Sequence, residues 1–449
     1  MQKQRTSRTS SVGYLVAVGV TAKLFIDTSV QLYNPFLMVF AAGLGVSAVT
    51  MGQMVSLRNI MGLVAPVVGH MADKIGYRLI MRVSLLLAGI GVLLLSTGAG
   101  LPVLILSMVL AGLGQGGFTP TLHSYLSSKL PYEKRSRYLG IVEYSWALAG
   151  IIGLALIGVL IELFSWREPL YVLGGGLIAA AVLLGTLPKA ESPQLADSEG
   201  DAGAAPADAG ADTGAAPGEV VPDEAARQSA APAAAGAVES ALPPRSWAGR
   251  LLHFFYLGEH WKSAWSAVLV NVFNFFAITH IMIIHGGWLE MEYGLAPSKL
   301  GLVALLLGLF DWAGSIIVSI AGDRIGKRKS VLIGAGGMVV FFALLPLLNI
   351  SLPLALVSLL LPRFFFEFAT VSNFPLLSEQ YPLQRGKIMS LSVAGGLLGT
   401  TIAATTGPAA YLHLGVWGLG PFSAAAAAVS CILIIVFVRE EPYRRNAYE

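Results

Sequence analysis

A single cysteine, Cys431, stands in the chain, inside an apolar run. That excludes a disulfide framework and a cysteine-based metal site. Charge is scarce as well: Asp, Glu, Lys and Arg make up 12% of 449 residues, against 55% hydrophobic residues and a mean hydropathy of +0.70. Soluble domains carry about a quarter charged residues, so this chain belongs in a lipid bilayer. A net charge of +3 lacks the basic excess that a nucleic-acid partner demands. The chain offers no Ser/His/Asp set, no His cluster with metal-ligand spacing and no phosphate loop, and its glycine-rich stretches lack a strand–turn–helix context. It does not read as an enzyme, and neither metal nor cofactor is expected.

What the sequence has in abundance is long apolar runs. A bilayer core of about 30 Å takes roughly 20 apolar residues as helix, and twelve runs meet that measure. They lie near 13–40, 49–70, 79–98, 101–125, 138–163 and 169–187, then 263–287, 298–320, 330–349, 352–377, 388–412 and 416–438. The first is too long for a signal-peptide core and has no small-residue cleavage site after it. The expected fold is an all-α membrane protein: a six-helix bundle over 1–187, a linker over 188–262 and a second six-helix bundle over 263–449. From Pro188 to Ser246 the linker is rich in Ala, Gly and Pro and has no aromatic residue, a composition that cannot bury enough apolar surface to order itself. Trp247 to Trp261 reads as a short interfacial helix or an early start to span seven. Lys and Arg gather in alternate loops, as at Lys74, Arg78, Arg82, Lys134, Arg135, Arg324 and Arg328, which places both termini in the cytoplasm of a multi-pass inner-membrane protein.

Two of those loops are copies. Gly69-His-Met-Ala-Asp73-Lys74-Ile-Gly76-Tyr-Arg78 separates spans two and three, and Ala321-Gly-Asp323-Arg324-Ile-Gly326-Lys327-Arg328 separates spans eight and nine. Gly69 is expected to let a helix end approach its neighbour, and Gly76 to take the positive φ of a tight turn. Asp73 suits a helix N-terminus. Lys74 and Arg78 are expected to pair with acids of a neighbouring span, with Glu143 as the partner. The Gly-x-x-x-Asp-(Arg/Lys)-x-Gly-x-(Arg/Lys) pattern, repeated across six plus six spans, resembles motif A of the major facilitator superfamily. Arg135-Ser-Arg137-Tyr-Leu-Gly140 and Ser165-Trp166-Arg167-Glu-Pro169 look like that family's drug:proton antiporter branch. The chain departs from the branch at Leu154, where its span-five motif has proline, and at Gly112, where a basic residue is expected in span four. The resemblance implies two pseudo-symmetric bundles that rock about a central cavity lined by spans one, four, seven and ten.

The polar residues inside the spans supply the candidate site. A charge at the bilayer centre costs about 2.5–3.5 kcal/mol on insertion scales, so each needs a partner, a cavity or a function. Lys23, Asp27, Gln31 and Asn34 recur along one face of span one. Span four offers Gln115, span seven Asn271, Asn274 and His280, and span ten Arg363 with Glu367 one turn later. Lys23–Asp27 and Arg363–Glu367 have the spacing of helix ion pairs, whereas Asp311 in span eight has no cation at helical spacing. His285 is a second titratable histidine in span seven, and Arg58 faces the bundle or an outer gate. Asp27 or Asp311 is expected to carry a coupling proton, with Glu367 in reserve. Lys23, Gln31, Asn34, Gln115, Asn271, Asn274, His280 and Arg363 are expected around the cavity, with Phe364–Phe366 as its aromatic wall. The leading reading is a monomeric, proton-coupled exporter of a lipophilic or amphipathic small molecule. An importer of a polar or anionic metabolite is the alternative within transport. A non-transporting sensor or a lipid scramblase is the alternative outside it.

Overall fold

The computed structural model describes residues 12–130, 132–188, 255–381 and 385–440. Every regular element among them is helical. Eleven helices are long and apolar enough to cross a bilayer. The remaining crossing, second in order, runs over 48–75, where Ala48–Met61, Gly62–Val64 and Ala65–Ile75 follow one another with helical backbone angles at the junctions. The expected spans thus stand, with ends moved by a few residues: span four, for example, is Leu101–Lys129 and span ten Leu352–Gln380. The linker and interfacial helix fall outside the described residues as far as 254, and span seven begins at Trp261.

The two copies of the repeated turn have the same conformation. Gly76 sits at φ 104°, ψ 133° and Gly326 at φ 93°, ψ 144°, each ending one helix and starting the next within a single residue. Only glycine adopts those angles without strain. Span one breaks at Leu32 between Val12–Gln31 and Tyr33–Leu44, and span seven breaks at 283–284 between Trp261–Met282 and His285–Tyr293. Corresponding helices of the two halves therefore share their interruptions as well as their order.

The cations of the repeated turns do not do what their sequence suggests. Arg78 donates to the carbonyl oxygens of Leu187 at 2.6 Å and Gly185 at 3.4 Å, and Arg82 donates to Ala181 O at 3.1 Å. Arg328 does the same at the end of span twelve, reaching Ile434 O at 3.1 Å and Ile435 O at 2.8 Å. Those carbonyls are the orphaned acceptors of a helix C-terminus, which a guanidinium satisfies with two donors at once. Glu143 is taken up elsewhere, by Lys23 and His123, and does not latch Arg78. Lys74 is exposed, and among the described residues Lys327 makes an ion pair in the second copy, with Glu379. Gly69 has open space where its Cβ would stand, so it serves no close approach. The side chains of Asp73 and Asp323 lie outside the described residues.

The halves meet tightly at the end opposite these turns. A Cβ on Gly286 would stand 1.7 Å from Pro35 O, where the broken ends of spans one and seven cross. A Cβ on Gly52 would stand 2.1 Å from Ala404 O, where span two meets span eleven, and span eight packs against span five. Backbone against backbone leaves no side chain to yield, so these contacts form a seal that holds only while the residues stay small.

Two outcomes are expected. Arg78→Ala and Arg328→Ala each lower stability, by about 1–2 kcal/mol, because each strips donors from a helix end; parallel thermal unfolding of the two variants checks this, and unequal losses would count against structural equivalence. Gly286→Val forces the seal apart. Spin labels placed beside Gly45 and Gly294 then populate a longer separation than in the parent protein, and an unchanged distance distribution would contradict the seal.

Candidate functional site

Below the seal lies a cavity of about 640 Å³, walled by both halves. Gln31, Asn34 and Pro35 of span one, Glu143, Tyr144 and Trp146 of span five, His285 of span seven, Asp311, Trp312 and Ser315 of span eight, and Arg363 and Glu367 of span ten reach it. Its lining continues to Ile320 and Phe374, toward the end that carries the repeated turns. The space is open at that end and shut at the other.

In the first half, span one delivers Lys23 and Asp27 on one helix face, and their side chains are 3% and 7% exposed. Lys23 Nζ donates to Asp27 Oδ2 at 3.0 Å, to Glu143 Oε2 at 3.2 Å and to Ser145 Oγ at 3.3 Å. Ser145 Oγ stands 2.6 Å from Asp27 Oδ2. The ammonium thus spends its three donors on three acceptors, which is its full inventory. On the far side of Glu143, His123 Nε2 of span four lies 2.7 Å from Oε1, a close approach that is not aligned as a hydrogen bond from the ring nitrogen. Span five widens at Ala149–Gly153 into a π-helical turn, one turn beyond Ser145. Such widening shifts the side chains that follow it and is frequent at functional sites.

In the second half the guanidinium of Arg363 pairs with Asp311, which reaches it from span eight. Arg363 also lies over the Phe366 ring at 5.6 Å. Glu367, one turn below Arg363, accepts from Ser315 Oγ at 3.4 Å instead of claiming the guanidinium. This corrects the expected Arg363–Glu367 pair and the expectation that Asp311 lacks a cation. A cation on a neighbouring helix, 52 residues away in the chain, supplies what helical spacing within span eight does not.

Several expected cavity residues are placed otherwise. Asn271 donates to Ser392 O at 2.9 Å and ties span seven to span eleven. His280 stacks on Phe276 and faces Ser423 of span twelve, away from the cavity, while His285 reaches it. Lys23, Gln115 and Asn274 are absent from the lining, and Asn274 is buried. Phe364–Phe366 also stay out: Phe365 packs on Phe341 and Gly337 of span nine, and Phe366 on Phe275 of span seven. Tyr144, Trp146, Trp312 and Phe374 form the aromatic wall instead. Arg58 lies over Tyr33 at 4.9 Å and donates to Val30 O at 3.2 Å, just where span one breaks, and so braces the seal. Its backbone passes 2.3 Å from the position a Cβ on Gly112 would take, so glycine at that place admits span two against span four. Among the described residues no group of three or more His, Cys, Asp or Glu could hold a metal ion.

Known proteins place this arrangement. The family profile described as Major Facilitator Superfamily matches residues 20–291 and 267–449. An uncharacterized MFS-type transporter of Bacillus subtilis, YwfA, is 23% identical over 94% of this chain and 91% of its own length. The chloroplastic sodium-dependent phosphate transport protein 1 of Arabidopsis thaliana is 31% identical, across 29% of this chain and 25% of its own length. Among solved structures, that of a D-xylose-proton symporter superposes with a TM-score of 0.70 at 15% identity, covering 96% of this chain and 99% of the symporter. Neither the profile nor these relatives carries the narrower drug:proton antiporter branch. Twelve crossings, the paired turns, a cavity between the halves and a profile match across most of the chain agree: this protein belongs to the major facilitator superfamily and is a multi-pass membrane transporter of small solutes.

Proposed function

We propose that the protein exchanges protons for a lipophilic or amphipathic cation, and that in the cell this is efflux. The observation that carries the reading is the charge arithmetic of the two clusters. Lys23 is set against Asp27 and Glu143, and Arg363 against Asp311 and Glu367. Each cluster therefore has one carboxylate more than it has cations, and Glu143, Asp311 and Glu367 all reach the cavity. An unbalanced carboxylate at membrane depth needs a counter-charge. A proton supplies one and a cationic substrate supplies another, so the two compete for the same negative charge. Competition for one site is the thermodynamic basis of antiport. Tyr144, Trp146, Trp312 and Phe374 offer the apolar and π surfaces that a lipophilic cation prefers.

The basic loops put the turn end in the cytoplasm, so the open cavity faces inward. In that state Glu143 from one half faces Asp311 and Glu367 from the other across the opening. Like charges there oppose closure of the cavity, and neutralising them by proton or by substrate removes the opposition. The halves can then rock to the outward-facing state. A second reading, import of an anion held by Arg363, draws on the partial match to the phosphate transport protein.

The test uses purified protein in liposomes that enclose a pH-sensitive dye. Tetraphenylphosphonium, a neutral sugar and inorganic phosphate are added outside in turn. Entry of the phosphonium is expected to drive protons out and turn the lumen alkaline. Asp27→Asn or Asp311→Asn is expected to abolish that signal, and Glu367→Gln to reduce it. Acidification on adding phosphate would favour proton-coupled import of an anion. Substrate movement with no pH change, or a signal that survives both Asp→Asn variants, would overturn proton coupling through these groups.

A further inference from the structure

Asp27 poses a problem of access. Its side chain is 7% exposed and does not reach the cavity, yet a coupling carboxylate must gain and lose a proton in each cycle. Among the described residues the charged groups that face it are Lys23 on its own helix and Glu143 on span five; Glu143 in turn faces Lys23 and His123. Ser145 fills the remaining side with its hydroxyl.

We infer that His123, Glu143 and Lys23 form a proton port that connects the cavity to Asp27. The contacts are continuous: His123 Nε2 to Glu143 Oε1 at 2.7 Å, Glu143 Oε2 to Lys23 Nζ at 3.2 Å, and Lys23 Nζ to Asp27 Oδ2 at 3.0 Å. Exposure divides this line into a wet half and a dry half. The side chains of Glu143 and His123 are 51% and 37% exposed, and those of Asp27 and Lys23 are 7% and 3% exposed. The wet half joins Glu143, which lines the cavity, to an imidazole, which accepts a proton on one nitrogen and donates one from the other.

The transfer balances without any further reactant. An N–H bond of the Lys23 ammonium breaks and Asp27 Oδ2 gains the proton. The amine left behind takes a proton from Oε2 of Glu143, which His123 has first loaded. In that loading neutral His123 gains a proton from water at Nδ1, its Nε2–H bond breaks, and the Glu143 carboxylate gains the proton at Oε1; a half-turn of the carboxyl group carries it to Oε2. Glu143 is thus a carboxylate again once Lys23 is refilled, and a flip of the imidazole ring restores its tautomer. One proton has moved from water to Asp27, and every intermediate group ends as it began. Reversal of the same steps unloads Asp27.

The inference rests on Asp27 as a coupling residue, so its test reads Asp27 directly and needs no substrate. Full-length protein in lipid is subjected to a rapid drop in pH, and the carboxylic-acid C=O infrared band that disappears in Asp27→Asn is followed in time. His123→Ala and Glu143→Gln are expected to slow the rise of that band by roughly a hundredfold while its final amplitude in His123→Ala stays as in the parent. Imidazole added to the buffer is expected to restore the rate in His123→Ala and to leave Glu143→Gln slow, a response that a purely structural histidine would not give. Unchanged rates in both variants would overturn the port while leaving Asp27 a proton site. Absence of any Asp27-dependent band in the parent protein would overturn the port and, separately from the liposome signal, remove Asp27 from the coupling reading.

Discussion

Everything in the interior depends on how a few charges are kept out of lipid. Lys23 and Arg363 are the cations around which the two halves are built, and each is held by hydrogen-bonded carboxylates from its own span or a neighbouring one. Removing one partner of such a pair leaves an uncompensated charge in a medium that solvates it poorly, whereas replacing the whole set by apolar residues is often neutral or stabilising. Stability alone therefore gives no reason to keep two such clusters. Their position beside a cavity between moving halves gives one.

The fold was legible because it rests on local rules. Apolar runs mark the spans, and the glycine of each repeated turn declares a backbone angle that no other residue takes easily, which is why Gly76 and Gly326 could be read and then found at matching φ. The site was legible only where partners share a helix. Lys23 and Asp27 were visible at a spacing of four, and the pair exists. Arg363 and Glu367 have the same spacing, and the pair does not form, because Asp311 reaches the guanidinium first from span eight. Periodicity names the face of a helix and stays silent about what a second helix brings to it.

The same limit explains the misreading of the basic turns. The distribution of Lys and Arg reports which end of the molecule they occupy and carries no information on their acceptors. Arg78 and Arg328 find helix-end carbonyls, which every chain possesses and no motif advertises. Glu143, left without those partners, turns inward to Lys23 and outward to His123. Gln115, His280 and Asn274 are polar residues on spans expected to face the cavity, yet a polar side chain in a bundle is as readily used to tie helices, as Asn271 shows with Ser392.

The two clusters share a charge count and differ in how they meet the cavity. In the second half the carboxylates themselves reach the open space, so Asp311 and Glu367 stand where a substrate would touch them. In the first half the ion pair is withdrawn behind span five, and only Glu143 reaches the opening. A duplicated fold would let both halves do the same work, and this one does not. The withdrawn pair is shielded from any ligand too large to pass Glu143, yet a proton handed from group to group would need no such passage. On the proposed exchange, a bulky cation and a proton would compete at the exposed carboxylates of spans eight and ten, while size alone would let only the proton reach Asp27 of span one.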